Sequence, residues 1–224
     1  MVKYYIKTNL YSGNNIFSSK IKCADCGCFY GSKTWHSTDK YKKVVFQCNN
    51  KFEGEKKCRT PNLMESQIED IFIKAVNEII TEKDELIDNT KLMRDILCDT
   101  KELEKEVIMI DLEIKALEDR MQMALEENCK VDQDQKAFME KYNMMVDLYD
   151  EKKSESEKKK QLIFNKKKHQ SEFDAFIYDM EAMGGKVTQF DAAVFSNLVE
   201  YMVVGQKGIN VKFKNGQEVR MQSF

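Results

Sequence analysis

Apolar residues follow three different rhythms along this chain, and each rhythm predicts a different kind of element. After Pro61, the single proline, Leu63, Ile68, Ile71, Phe72, Ala75, Val76, Ile79 and Ile80 recur three and four apart, which predicts an amphipathic helix. Over about 92–125 the pattern becomes heptad-like, with Val107, Ile114 and Met121 in one series and Leu103, Ile110, Leu117 and Ala124 in the other, separated by Glu, Lys and Asp. The run Asn128-Cys129-Lys130-Val131-Asp132 breaks that rhythm, and a second stripe follows through Phe138, Tyr142, Met145, Tyr149 and Ile163. Two antiparallel helices joined near 128–133 are therefore expected. One narrow seam buries little area, so the tip is expected to be mobile and the arm to swing as a unit.

The third rhythm is alternation. Ile209, Val211 and Phe213 alternate with Asn210, Lys212 and Lys214 before Asn215-Gly216, and Gln217–Met221 follows; Asn-Gly between alternating runs predicts a β-hairpin. Upstream, Gly184-Gly185 predicts a left-handed cap ending the return helix. Thr188 and Asp191 offer N-caps to a new helix through Phe195, Leu198, Val199 and Met202. A short hairpin cannot stand alone. It must pack on the N-terminal region, which makes the arm an insertion in a discontinuous domain. The expected fold is α+β, with an N-terminal extension at 1–12, a β-rich region and docking helix at 13–91, the arm at 92–183, and a closing helix and hairpin at 184–224.

Composition refines this picture. A third of the 224 residues are charged, and no apolar run is long enough to span a membrane; no secretory signal pattern opens the chain. The net charge of -2 hides an asymmetry. Between residues 13 and 64, ten basic residues face four acidic ones, leaving +6. That local field suits phosphate binding. Short strands are expected in the same stretch, near Cys28–Tyr30 and Tyr41–Gln47.

The candidate chemistry lies in the cysteines. Cys23-Ala24-Asp25-Cys26-Gly27 has the form of a zinc knuckle: two thiolates three residues apart reach one metal around a tight turn, eased by the glycine. Cys48 and Cys58 supply two further corners of a tetrahedron. Four thiolates close the coordination sphere, so the expected Zn2+ is structural. Cys28, in place of Cys26, and His36 stand as competing ligands; Cys98 and Cys129 lie far along the helical section.

Around the knuckle, Lys33, Trp35, His36, Lys40, Lys42, Lys43 and Arg59 mix cations with aromatics and are the candidate DNA contacts. For Trp35, Tyr41 and Phe46, packing a small ribbon is the competing role. Catalytic patterns are missing: the four arginines, Arg59, Arg94, Arg120 and Arg220, are scattered, and neither a Gly-rich phosphate loop nor a histidine pair is present. No small-molecule substrate is expected.

The run from Gly13 through Cys23-Ala24-Asp25-Cys26-Gly27, the later Tyr41-x3-Val45-Phe46-Gln47-Cys48, and Cys58-Arg59-Thr60-Pro61 resemble the zinc β-ribbon of large serine recombinases, the phage integrases and transposon resolvases. The helix after Pro61, the coiled coil and the closing hairpin extend that resemblance from about Tyr11 onward. It implies attachment-site binding by the ribbon and contact with other recombinase subunits through the coiled coil, governing synapsis and directionality. The family's catalytic and helical recombinase domains, which precede the ribbon, have no counterpart here. The chain resembles a C-terminal portion that binds double-stranded DNA without cutting it. It would act in a bacterial or phage-encoded, nucleoid-associated cytoplasmic setting. A coiled-coil scaffold with a purely structural zinc ribbon is the alternative.

Overall fold

The computed structural model describes residues 15–53, 57–130 and 134–222. The expected extension at 1–12 and residues 131–133 of the expected helical turn lie outside them. The chain divides into two compact units, Met1–Lys91 with Glu172–Phe224, and Leu92–Ser171.

Among the described residues, the first unit contains two sheets. In one, β2 (Tyr30–Trp35) pairs antiparallel with β3 (Lys43–Cys48), and β3 pairs with the two-residue β4 (Leu63–Met64). In the other, β1 (Ile21–Cys23) runs parallel to β5 (Val199–Val204), followed by antiparallel β6 (Gly208–Phe213) and β7 (Glu218–Gln222). Ile21 opposes Met202, so an early strand is completed by one near the end of the chain. The fold is α+β, and the first unit is discontinuous in sequence.

Helix α1 (Glu65–Ile79) buries Ile68, Ile71, Phe72, Ala75, Val76 and Ile79. Leu63, expected on this helix, lies instead in β4 opposite Phe46. The helix begins two residues later, where the Gln67 side chain accepts a hydrogen bond from the Met64 N–H at 2.8 Å. Phenylalanines join the layers: Phe17 packs on Phe46 and Phe195 at 5.5 and 5.1 Å between ring centroids, and Phe72 meets Phe195 at 5.2 Å. All three contacts are edge-to-face, the geometry aromatic quadrupoles favour.

Two expectations about the C-terminal region are corrected. Helix α5 (Ala192–Leu198) is capped by Asp191, whose carboxylate accepts from the Ala193 and Val194 N–H groups, but it stops before Val199. Val199 and Met202 belong to β5, because the β-branched and aromatic run Val-Glu-Tyr-Met-Val-Val finds pairing partners on both sides. Helix α4 (Gln135–Ala182) ends without a left-handed glycine: among the described residues, the glycines with positive φ are Gly27 and Gly216. Lys83 on α2 (Lys83–Leu97) supplies the cap, its ammonium donating to the Glu181 and Met183 carbonyls at 3.1 and 2.6 Å. A cation at a helix C-terminus satisfies orphan carbonyls and opposes the negative end of the dipole.

The second unit holds the end of α2, α3 (Lys101–Asn128) and most of α4. The continuous pattern read over 92–125 is broken at 98–100, where α2 ends and Thr100 precedes α3. On α3, Val107, Ile110 and Leu117 are buried, and Leu103, Ile114 and Met121 are half-buried. On α4, Phe138, Tyr142, Met145, Tyr149 and Ile163 are half-buried.

The middle of the α4 stripe is polar, with Lys152, Ser156 and Lys159 at the inward spacing. Ser156 is buried and donates to Asp111 at 2.7 Å. Ion pairs flank it: Lys152 with Glu113, Lys159 with Glu106, Lys160 with Asp111 and Lys167 with Glu104, all within 2.9 Å.

Candidate metal centre and nucleic-acid interface

Cys23, Cys26, Cys48 and Cys58 converge because two tight turns face each other. In the first, the Gly27 N–H donates to the Cys23 carbonyl at 2.8 Å, with Gly27 at φ 74°. A side chain at that φ would be strained, so the glycine after the second cysteine has a direct geometric reason. In the second, the Lys51 N–H donates to the Cys48 carbonyl at 3.1 Å. Lys51 then reaches from this turn to the Thr60 carbonyl and Asn62 Oδ1, both at 2.8 Å, tying it to the segment after Cys58. Lys51, counted with the basic surface in the sequence, thus serves as an internal strut.

The four sulfurs all lie within 4.8 Å of one another. Cys26 and Cys48 are 3.5 Å apart and Cys48 and Cys58 3.9 Å. Four thiolates about 2.3 Å from one zinc sit roughly 3.8 Å apart at tetrahedral angles. The residues fit the metal. Cys23, Cys48 and Cys58 are buried and Cys26 is exposed.

Burial opposes ionisation of the Cys23, Cys48 and Cys58 thiols, but hydrogen bonds modify the effect. Burial would raise Cys23, yet donation from the Thr60 hydroxyl and the Cys26 and Asp25 backbone outweighs it and holds Cys23 low. Burial pushes Cys48 well up and Cys58 up to about 12. A divalent cation reverses that penalty and is the natural counter-charge for a thiolate cluster.

Neither competing ligand enters the cluster. Cys28 leaves with the outgoing chain, and its sulfur accepts from Asn50 Nδ2 at 2.9 Å. His36 stands at the far turn of the β2–β3 ribbon, 3.2 Å from Asp39. Thr60, which bonds Cys23 Sγ at 3.3 Å, and Asp25, which accepts from the Arg59 N–H at 2.7 Å, were not singled out from the sequence. Their position beside ligand cysteines was the available signal, since thiolate sites attract second-layer donors.

Residues 16–77 match the family model described as the recombinase zinc beta ribbon domain. Over this segment the chain is similar to a recombinase zinc ribbon. A chain from a structure described as a crystal structure of an LSR–DNA complex is also similar, at a TM-score of 0.40 and 11% identity, covering 91% of this chain and 57% of that one. The present chain therefore spans a little over half the length of that neighbour. No curated protein matches.

Beyond the four sulfurs, the ribbon extends as a bare two-stranded projection. Residues 32–44 are all exposed, whereas Val45–Cys48 are buried. The aromatics consequently divide: Phe46 is core at 2% exposure, while Trp35 and Tyr41 are 37% and 65% exposed. Lys33, Lys40, Lys42 and Lys43 share the projection with Asp39. Lys43 lies over the Trp35 ring at 5.4 Å and Lys40 over Tyr41 at 5.2 Å. The turn is held by Asp39, which accepts from the Tyr41 N–H at 2.7 Å, and by His36 at φ 54°. Arg59 is placed apart from these residues, next to Cys58 at the metal turn.

Proposed function

We propose that this chain is the zinc-dependent DNA-binding and subunit-contact portion of a large serine site-specific recombinase, working in the cytoplasm of a bacterium on a phage or mobile-element attachment site. The observation that carries this reading is the projecting β2–β3 ribbon, which exposes Trp35 and Tyr41 among four lysines on a segment that encloses no core. A two-stranded ribbon fits the major groove of B-DNA. There Lys33, Lys40, Lys42 and Lys43 would take phosphates, Trp35 and His36 would meet the groove wall, and Arg59 would approach from the metal turn. Zinc would keep the ribbon's base in shape. Strand cleavage belongs to the catalytic domain of the parent family.

The arm is proposed to meet other subunits and so control synapsis. Ile108, Met109, Leu112 and Met123 on α3 are at least 58% exposed, which leaves apolar surface beyond the intramolecular seam. The same surface favours the scaffold alternative if DNA binding fails.

The test is selection of duplexes from a random pool by the zinc-loaded chain, followed by anisotropy titrations against salt. A preferred sequence should emerge, and reversing Lys40, Lys42 and Lys43 to Glu should weaken binding about 100-fold or more with oligomeric state unchanged. Equal binding by the reversed variant would remove the ribbon from the interface. Failure of the wild-type chain to retain any duplex would leave the scaffold reading.

A further inference from the structure

The four-stranded sheet has one face in the core and one facing outward, and the outward face carries an ordered set of cations that neither the zinc site nor the ribbon uses. Ile21, Cys23, Val204, Ile209, Val211, Phe213, and then Val219 and Met221, point inward. Alternation turns Lys22, Val203, Asn210 and Arg220 the other way, and the register aligns them in one row across all four strands. Three strand spacings make that row about 14 Å long. Tyr201 and Lys212 stand opposite each other in the neighbouring row.

The cations are held in place. Lys22 Nζ lies 3.8 Å from the Tyr201 ring centroid and Lys212 Nζ 5.2 Å from it, so one ring orients two ammonium groups. The two carboxylates on this face are engaged laterally: Glu200 with Lys212 at 3.3 Å, and Glu218 accepting from Asn210 Nδ2 at 2.6 Å. Arg220 is exposed and has no ion-pair partner among the described residues. Lys20, Lys22, Lys207, Lys212, Lys214 and Arg220 against Glu200 and Glu218, with Asp25 beside Gln206 and Glu172 acting on Lys20 at the margins, leave this region at +2. Apolar surface is sparse, with Val203 half-buried in the row, so the chemistry suits a polyanion better than an apolar protein partner.

We propose that the outward face of the β1-β5-β6-β7 sheet is a second DNA-binding surface, gripping the phosphate backbone through Lys22, Lys212 and Arg220. It rests on the DNA-binding reading above. Its contribution is independent of sequence: cations fixed on a flat sheet contact phosphates, while base recognition stays with the ribbon.

The test uses the full zinc-loaded chain and its selected duplex, comparing wild type with Lys22→Gln/Arg220→Gln, a pair of solvent-facing changes. The double variant should bind about 10-fold more weakly at ~0.15 M salt, and the slope of log affinity against log salt should fall by about 2. Its ranking of duplex sequences should be unchanged. Tyr201→Leu, which removes the ring but keeps apolar volume, should give a smaller loss of the same kind. Wild-type affinity and salt slope in the double variant would overturn the proposal, leaving the ribbon reading intact when the Lys40, Lys42 and Lys43 reversal still abolishes binding. A loss in the double variant beside an unaffected ribbon reversal would support the sheet and refute the ribbon.

Discussion

The two units of this chain are stabilised in opposite ways. The first concentrates its apolar residues, with Phe17, Phe72, Phe195 and Phe213 at 1% exposure or less around two small sheets and a four-thiol cluster. In the second, Val107, Ile110 and Leu117 are the buried α3 residues, and a serine–aspartate bond with flanking ion pairs takes over where the apolar seam lapses. From this contrast, the long helical hairpin and the small fold built on a thiol cluster are expected to respond to different perturbations although one chain forms both.

Removing zinc should separate them most. Structural zinc in small domains contributes on the order of 10 kcal/mol or more near neutral pH. Chelation, or Cys48→Ser, should therefore disorder the β2–β3 ribbon and its supporting turns. Limited proteolysis should show new cleavage between residues 23 and 59, while far-ultraviolet dichroism keeps most of its helical signal. Protection of that segment without zinc would break the comparison.

Next in size is Phe195→Ala. It removes a fully buried ring in contact with Phe17, Phe72 and Phe190, and an expected loss of about 3–5 kcal/mol should appear as a lower denaturant midpoint for the first unit. Leu117→Ala in the arm should cost less, about 2 kcal/mol, because its surroundings are thinner and can close around the gap. Hydrogen exchange in α3 should accelerate while the sheet strands stay protected. Exchange rising equally in both units would mean that they unfold as one.

The smallest expected effect is a pH window in the stability of the arm. The Ser156 and Lys160 hydrogen bonds hold Asp111 below its ordinary 3.8, and Lys167 and Thr100 hold Glu104 below 4.5. Such carboxylates contribute fully above their unfolded values, and the contribution disappears as pH falls through the lower folded ones. Glu113 and Glu106 raise Lys152 and Lys159 above 10.5; that contribution is present below 10.5 and is lost as pH rises past it. Thermal melts of the arm should plateau between these limits and decline modestly on either side. A flat profile from about pH 3 to 11 would show that solvent screens the pairs completely.

Local chemistry in the sequence pointed to much of the arrangement. The cysteine spacing singled out the four sulfurs that converge, and the heptad series marked the α3 residues turned away from solvent. What depended on distant partners was less legible. Val199-Glu200-Tyr201-Met202 satisfies helical spacing as well as strand propensity, and it becomes a strand because β1 and β6 lie on either side of it. Lys83 gives no sign in its own neighbourhood that it will cap a helix ending a hundred residues later. Ser156 interrupts the apolar stripe of α4, and the partner that makes it fit there, Asp111, lies on another helix.

The parallel pairing of Ile21 with Met202 also sets an order of events during synthesis. At about 5–20 residues per second, β1 waits roughly ten to forty seconds for its neighbour to be made. Over that interval α3 and α4 can zip, bringing Lys166 to the Leu97 carbonyl at the base of the hairpin. The search by β5 for β1 then closes a loop shortened by the 69-residue separation of that contact, a saving in closure entropy of about half a kcal/mol. In this sequence of events the arm would bring together the two ends of the interrupted sheet before their pairing forms.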